Sequence, residues 1–248
     1  LFREFAPDLI MKELCPMEAE SWDAFRRVTF RQVGKLTWAA LAEEMQAKER
    51  VLCVVNTRKA AREVFQHLEG DGNFHLSTRM YPAHRRAVLE EVCWRLKKTH
   101  LPCRVVSTSL IEAGVDVNFP AVFREEAGLD SILQAAGRCN REGDDSPEDS
   151  IVTIFKGEDK PPKLFETAIG AGQMAMSKYK DIASREAIHA YFHELLDLKG
   201  RESQDAQHIL PLMEQEFFPF RTISERFHLI DNPRETVYIP IGEGSKLV

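Results

Sequence analysis

The sequence predicts an α/β fold, a parallel sheet flanked by helices, with a helical extension behind it. Three observations predict this. Short β-branched runs recur along the chain, amphipathic helical segments separate them, and the rhythm stops after about residue 158. The runs are "VLCVV" (51–55), "FHLS" (74–77), "CRVVST" (103–108), "AVFRE" (121–125) and "IVTIF" (151–155). Near-continuous apolar runs of this length fit strands buried on both faces. The helices between them are read at 36–50, at 58–70 with a stop at Gly70, at 82–98 with Pro82 in the first turn, and at about 130–138. Residues 1–35 carry Pro7 and Pro16 and no sustained period. Beyond 158, "PPKLFETAIGAGQMAMSKY" and "SREAIHAYFHELLDLKG" read as two helices, then come a helix, a turn and a strand near "TVYIP".

Composition bounds the function. The chain has 248 residues, 44% of them hydrophobic, enough for one large or two small domains with a buried core. No run approaches the roughly 18 apolar residues of a membrane span. The start, "LFREFAPDLI", has no secretory pattern, and we expect a cytoplasmic protein. It lacks an initiator Met, so a fragment of a longer protein is expected. Cys15, Cys53, Cys93, Cys103 and Cys139 are scattered with no C-x-x-C, which fits reduced thiols rather than disulfides or zinc. The net charge of −6 argues against nucleic-acid binding over the whole surface. The charge is uneven, however: Arg79, Arg85, Arg86, Arg95, Lys97, Lys98 and Arg104 face only Glu90 and Glu91 within 79–104. That stretch fits either a phosphate-backbone groove or an ordinary solvated helix face.

In parallel sheets, ligands gather at the carboxyl ends of the strands. Here those ends read Asn56-Thr57-Arg58, Ser77-Thr78-Arg79 and Ser107-Thr108-Ser109. A single such end is an ordinary helix cap. Three in register point to a surface that holds phosphates, with Thr57, Ser77, Thr78, Arg79 and Thr108 as candidates. After the strand ending at Thr108, Gly114 permits a backbone conformation or a close approach that a side chain would hinder. Asp116 follows, placed either to accept a hydrogen bond from a ribose hydroxyl or to cap a turn.

"LDSILQAAGRCNREGDD" (129–145) carries the strongest signal. On one continuous helix, Gln134, Arg138 and Arg141 fall within about 40° of one face. Leu129, Ile132, Leu133 and Ala136 pack the other side. Two arginines on one stripe repel each other unless an anion lies between them, and the terminal phosphoryl group of a triphosphate suits that place. The alternative is pairing with Asp144 and Asp145. Other motifs carry less. "RQVGKLTW" fails the P-loop spacing at both ends. Neither Gly70-Asp71-Gly72 nor Gly170-Ala171-Gly172 has the context of a dinucleotide site. His189 and His193 stand one helical turn apart but have no evident third ligand, so no metal site is assigned.

These residues resemble a known family. "STSLIEAGVDV" and "QAAGRCNR" are similar to motifs V and VI of superfamily 2 helicases, the latter in the form Q-x-x-G-R-x-x-R. "VLCVVNTRKAAREVF" resembles the motif IV strand and its helix, and "LSTRMYPAHRR" the segment after it. The wording "LIEAGVDV" and "FPAVFREEAGLDSILQAAGRCNR" most resembles the CRISPR-associated helicase-nuclease of type I systems, with type I-C as the subtype we would name. The likeness is strong over about residues 36–155.

The resemblance implies an ATP-dependent motor on single-stranded DNA, with ATP and magnesium between two RecA-like lobes. Arg138 and Arg141 would be the arginine fingers, Gln134 their support, and Gly114 and Asp116 nucleotide positions. Thr57 and Thr108, with Ser77, Thr78 and Arg79, would follow the DNA backbone. No P-loop lysine, D-E-x-H box or His-Asp nuclease motif is present. In the family these belong to the first lobe and to a metal-dependent nuclease domain. The implied partners are those two domains and the RNA-guided surveillance complex. Residues 1–35 are then the exit from the first lobe and the linker, 36–158 the second RecA-like lobe, and 159–248 the helical extension. Such a lobe alone should turn over no ATP. The alternatives are another DNA or RNA helicase of the superfamily, a catalytically silent RecA-like interaction module, and, against the missing glycine fingerprint, a Rossmann-type enzyme.

Overall fold

The computed structural model describes residues 10, 12, 14, 24–98, 101–112, 114–200, 205–228 and 245. Its centre is a six-stranded sheet of order β1-β6-β5-β2-β4-β3, with every neighbouring pair parallel. The strands are β1 (Thr29–Lys35), β2 (Arg50–Val54), β3 (Asn73–Leu76), β4 (Cys103–Ser107), β5 (Ala121–Glu125) and β6 (Ile151–Lys156). Interleaved with them are α1 (Trp38–Gln46), α2 (Arg58–Gln66), α3 (Pro82–Lys98), a 3-10 turn (Ser109–Ile111) and α4 (Leu129–Ala136). α5 (Lys163–Lys178) and α6 (Arg185–Lys199) follow.

The period-2 alternation of β2 explains the two layers. Val51, Cys53 and Val55 pack with Trp38, Leu41 and Met45 of α1 and with Ala60, Ala61 and Val64 of α2. Leu52 and Val54 face the opposite layer, where Val92 of α3, Ala135 and Ala136 of α4 and Ile111 of the 3-10 turn are buried. Both faces are covered, so the central strands β2 and β5 carry only apolar residues at 51–54 and 121–123.

Two expected boundaries need correction. Residues 29–35 are not linker: β1 pairs with β6 from Thr29 against Ile151 to Lys35 against Lys156. It is an edge strand whose residues are half-buried or exposed, so it lacks the apolar run that marks the inner strands. The lobe also continues past 158. Ala171, Ala175 and Met176 of α5 and Ala187 and Tyr191 of α6 form one cluster with Leu129, Ile132 and Ile154. The Tyr191 hydroxyl, on a side chain 1% exposed, donates to Asp130 Oδ1 at 2.6 Å.

The described residues from 199 onward belong to a second unit. Its described helices are α7 (Leu210–Met213) and α8 (Phe220–Arg226). Asp205 caps α7 by accepting from Ile209 N and Leu210 N. The strand expected near "TVYIP" lies outside the described residues. No described helix is long and apolar enough to cross a membrane. The four described cysteines are free. Burial pushes the Cys103 and Cys139 thiols up to about 12 and Cys53 further, while half-buried Cys93 is raised less.

Two predictions follow from this packing. Tyr191→Ala removes a buried aromatic anchor and should destabilise the sheet lobe by roughly 3–5 kcal/mol. Urea unfolding followed by circular dichroism should show one cooperative transition moving to lower urea. A sheet transition that stays in place would mean that α5 and α6 are independent of it. Among the four described cysteines, Cys93 should be alkylated first by iodoacetamide at pH 8, as peptide mapping would show, because only a thiolate reacts and burial disfavours it most at the other three.

Candidate nucleotide and nucleic-acid interface

The strand order reverses between β2 and β5. From β2 the chain moves toward β4 and β3, from β5 toward β6, with α2 and α4 on opposite faces. In open α/β sheets the crevice at such a point commonly takes the ligand. Here a side chain fills it. Arg124, 2% exposed at the end of β5, donates through Nη1 to Val54 O (3.3 Å), Asn56 Oδ1 (2.9 Å) and Glu125 O (2.8 Å). Its Nη2 donates to Ser131 Oγ at 3.0 Å, and its Nε lies 3.2 Å from Glu112 Oε1. Ser131 Oγ donates in turn to Glu112 Oε2 at 2.8 Å. Glu125 accepts from Asn56 N at 2.7 Å, and Asn56 Nδ2 donates to Glu126 O.

A buried charge persists only when paired and hydrogen-bonded. Burial raises the Glu112 and Glu125 carboxyls above the ordinary range, against the pull of Arg124, and lowers Arg124. Sequence reasoning missed this network. The available signal was an Arg-Glu pair closing an otherwise apolar strand, "AVFRE".

The two candidate arginines do not share a helix with Gln134. Helix α4 ends at Ala136, with Gly137 as its cap, so Gln134, Arg138 and Arg141 do not form one helical stripe. Gln134 stays on the helix and is exposed. Arg138 and Arg141 project from a turn built around Asn140, which adopts φ 46 and is 1% exposed. Asn tolerates this left-handed conformation better than most residues. Its side chain donates to Arg27 O and Asp145 O and accepts from Asp145 N. Arg27 returns a hydrogen bond to Arg141 O.

The loop between β4 and β5 holds this turn by backbone and side chain together. Phe119 N donates to Arg138 O, and Asn140 N donates to Phe119 O, both at 2.9 Å. Arg141 N donates to Asn118 Oδ1 at 2.8 Å. Arg138 Nη2 donates to Glu112 O at 2.6 Å, while its Nε is buried with no hydrogen-bond partner. Arg141 Nε lies 2.9 Å from Asp116 Oδ1 on a pair with both members largely exposed. The acids expected as alternative partners, Asp144 and Asp145, are therefore not the ones engaged: Asp145 bonds Asn140 through its backbone. Burial first and then the neighbouring Arg141 charge lower Arg138 below the usual arginine range.

Gly114 has φ +73 with open space where a side chain would begin, so its backbone conformation, not a close approach, calls for glycine. A cavity of about 520 Å³ is lined by Asp116, Asn118, Glu142, Asp144 and Asp145, and by Arg50 and Lys97. Four carboxylates make it a poor phosphate site, and neither Arg138 nor Arg141 lines it.

The strand-end candidates share one side of the rim, on the adjacent strands β2, β4 and β3. Thr57 serves as the N-cap of α2, accepting from Ala60 N at 3.0 Å. Thr108, 7% exposed, makes no such capping bond. Ser77 is buried, whereas Thr78 and Arg79 are exposed. The basic stretch 79–104 is not one face. Arg104 is buried, donating to Lys48 O and Gln46 O, and Arg95 is tied to Glu91 and Asp71. His193 Nδ1 lies 3.0 Å from Asp197. Among the described residues no group of three or more His, Cys, Asp or Glu side chains could hold a metal ion.

Comparison with known proteins places the fold. Residues 47–144 match the family described as CRISPR-associated nuclease/helicase Cas3, C-terminal. Over that stretch the chain is similar to the C-terminal part of Cas3 nuclease/helicases. It is 48% identical over 66 residues to a CRISPR-associated nuclease/helicase Cas3 of Haloferax volcanii, covering 27% of this chain and 7% of that protein. A Cas3 of Methanothermobacter thermautotrophicus is 30% identical over 161 residues, covering 61% of this chain and 19% of that protein. The chain thus spans less than a fifth of either relative. The crystal structure of T. fusca Cas3 superposes with a TM-score of 0.57 at 13% identity, over 90% of this chain and 28% of that one, which shows the shared fold. The Cas3-like match begins just before β2 and closes at the Asn140 turn, so it encloses both arginines, Arg124 and Glu112.

Asn140→Ala should cost about 3 kcal/mol, from lost buried hydrogen bonds and an alanine forced to positive φ. Asn140→Gly keeps the conformation and should cost less. Urea titration of both variants checks this, and equal losses would remove the backbone from the explanation.

Proposed function

We propose that this chain is the C-terminal lobe of an ATP-dependent single-stranded DNA translocase acting in type I CRISPR interference. One observation carries the reading: both arginines of the "QAAGRCNR" turn converge on the Glu112–Asp116 loop, one on its backbone and one on its carboxylate. The residues fit a terminal phosphate. Among the described residues Arg138 keeps a buried Nε without an acceptor, and Arg141 pairs with an exposed carboxylate that an anion of higher charge would outcompete. When bound, ATP with magnesium supplies the phosphoryl group to be transferred. Arg138 and Arg141 would stabilise the charge developing on it, as arginine fingers do. Gln134 would steady them from the end of α4, with Gly114 and Asp116 at the nucleotide. Thr57, Thr108, Ser77, Thr78 and Arg79 would follow the DNA backbone along one side of the rim.

The switch-point crevice of this lobe is filled by Arg124, which supports a phosphate clamp located elsewhere. The resemblance assigns that clamp and the magnesium ligands to a first RecA-like lobe, and a further metal to a nuclease domain. Those two domains and an RNA-guided surveillance complex are the proposed partners, in the cytoplasm.

In the full-length protein, Arg138→Ala or Arg141→Ala should lower ATP-driven unwinding by at least about 100-fold, while single-stranded DNA affinity stays within about threefold. Equal loss of both would assign the arginines to DNA. The isolated chain should show no ATPase activity. A robust rate that DNA stimulates and Arg141→Ala removes would overturn the reading.

A further inference from the structure

We infer that Arg124 is a positioning residue for Arg138, acting through Glu112 and Ser131. This rests on the reading of Arg138 as a group that meets the terminal phosphate. Arg124 is buried, and its partners among the described residues lie within the lobe, so it is not itself a catalytic residue.

The connection is short and continuous. The Arg124 guanidinium reaches Glu112 Oε1 at 3.2 Å and Ser131 Oγ at 3.0 Å, and Ser131 donates to Glu112 Oε2 at 2.8 Å. The Glu112 carboxylate is thereby held by a hydrogen bond from α4 at Oε2 and by an ion pair from β5 at Oε1, which has no hydrogen-bond partner among the described residues. The carbonyl of the same residue accepts from Arg138 Nη2 at 2.6 Å. Glu112 sits at the end of a single 3-10 turn, just ahead of Gly114 with its positive φ. A turn that short fixes few of its own backbone groups. The Arg138 anchor therefore depends on what holds the Glu112 side chain.

Stability alone does not call for this arrangement, because well-packed apolar residues commonly replace a buried ion pair at no loss. What the pair adds is direction. Arg124 offers a rigid planar fork: Nη1 donates toward β2 and β5, Nη2 donates to Ser131 on the helix that leads to the arginine turn, and Nε faces the Glu112 carboxylate as an ion pair without a hydrogen bond. Lysine would keep the charge and lose the fork.

The test uses the full-length protein with ATP and single-stranded DNA. Ser131→Ala removes one hydroxyl and should fold. Arg124→Lys is the second variant. Both should lower kcat about tenfold, a loss typical of a misplaced catalytic group, with KM for ATP and DNA affinity within about twofold. The deciding readout is a double-mutant cycle by single-turnover hydrolysis. In an Arg138→Ala background, Ser131→Ala should add no further loss, because the network acts only through that arginine. An unchanged kcat in Ser131→Ala overturns the inference. So does a tenfold loss that persists in the Arg138→Ala background, which marks a general structural effect. If Arg138→Ala alone leaves hydrolysis unchanged, the reading of the arginine fails and this inference with it.

Discussion

A guanidinium buried where the strand order reverses is the constraint on which the rim of this lobe depends. Taking such a charge out of water costs several kcal/mol after relaxation, and only close partners offset it. Arg124 finds them on β2, β5, α4 and the loop before Gly114. The elements that surround the crevice are therefore held at fixed distances. The crevice itself is closed by protein. A lobe built this way has no cradle of its own at the usual ligand position. What it offers outward is the turn next to that position.

That turn and the β4–β5 loop behave as one unit. Phe119 pins the backbone on either side of Cys139, Asn118 takes the Arg141 amide, and Glu112 and Asp116 take the two guanidinium groups. The contacts differ in kind. The Arg138 anchor is part-buried and backbone-based, so solvent and salt screen it little. The Arg141–Asp116 pair is largely exposed and is worth little as a stabilising bridge. One arginine is fixed and the other exchangeable, which suits a site whose anion arrives from outside. Arg27, just ahead of β1, closes the unit from the other side through Asn140 and the Arg141 carbonyl.

Much of this was legible in the sequence, for physical reasons that also explain the rest. The four inner strands read as apolar runs because both sheet faces are buried, and the edge strand β3 offered only the short "FHLS". β1, "TFRQVGK", is an edge strand with exposed Arg31, Gln32 and Lys35, so its pairing with β6 leaves little hydrophobic signature. α4 read as longer than it is because Gly137 interrupts a helical pattern without a proline, and the stop depends on Asn140 reaching a left-handed conformation held by tertiary hydrogen bonds. The arginines kept their candidacy while their geometry changed from a helical stripe to a braced turn. The Arg124 network was invisible to motif reading because its members lie far apart in sequence, at 56, 112, 124 and 131. The basic stretch 79–104 looked continuous only because sequence does not show that Arg104 bonds inward and Arg95 pairs with neighbouring acids.

The proposed role of the arginine turn is to meet a terminal phosphate, as distinct from nucleotide or DNA in general. The most direct measurement compares the affinity of the full-length protein for a non-hydrolysable ATP analogue and for ADP, in the wild type and in Arg141→Ala. Loss of a charge-assisted contact to the third phosphate should weaken the triphosphate by at least about tenfold and leave ADP within about twofold. Equal weakening of both nucleotides, or of neither, would contradict the account.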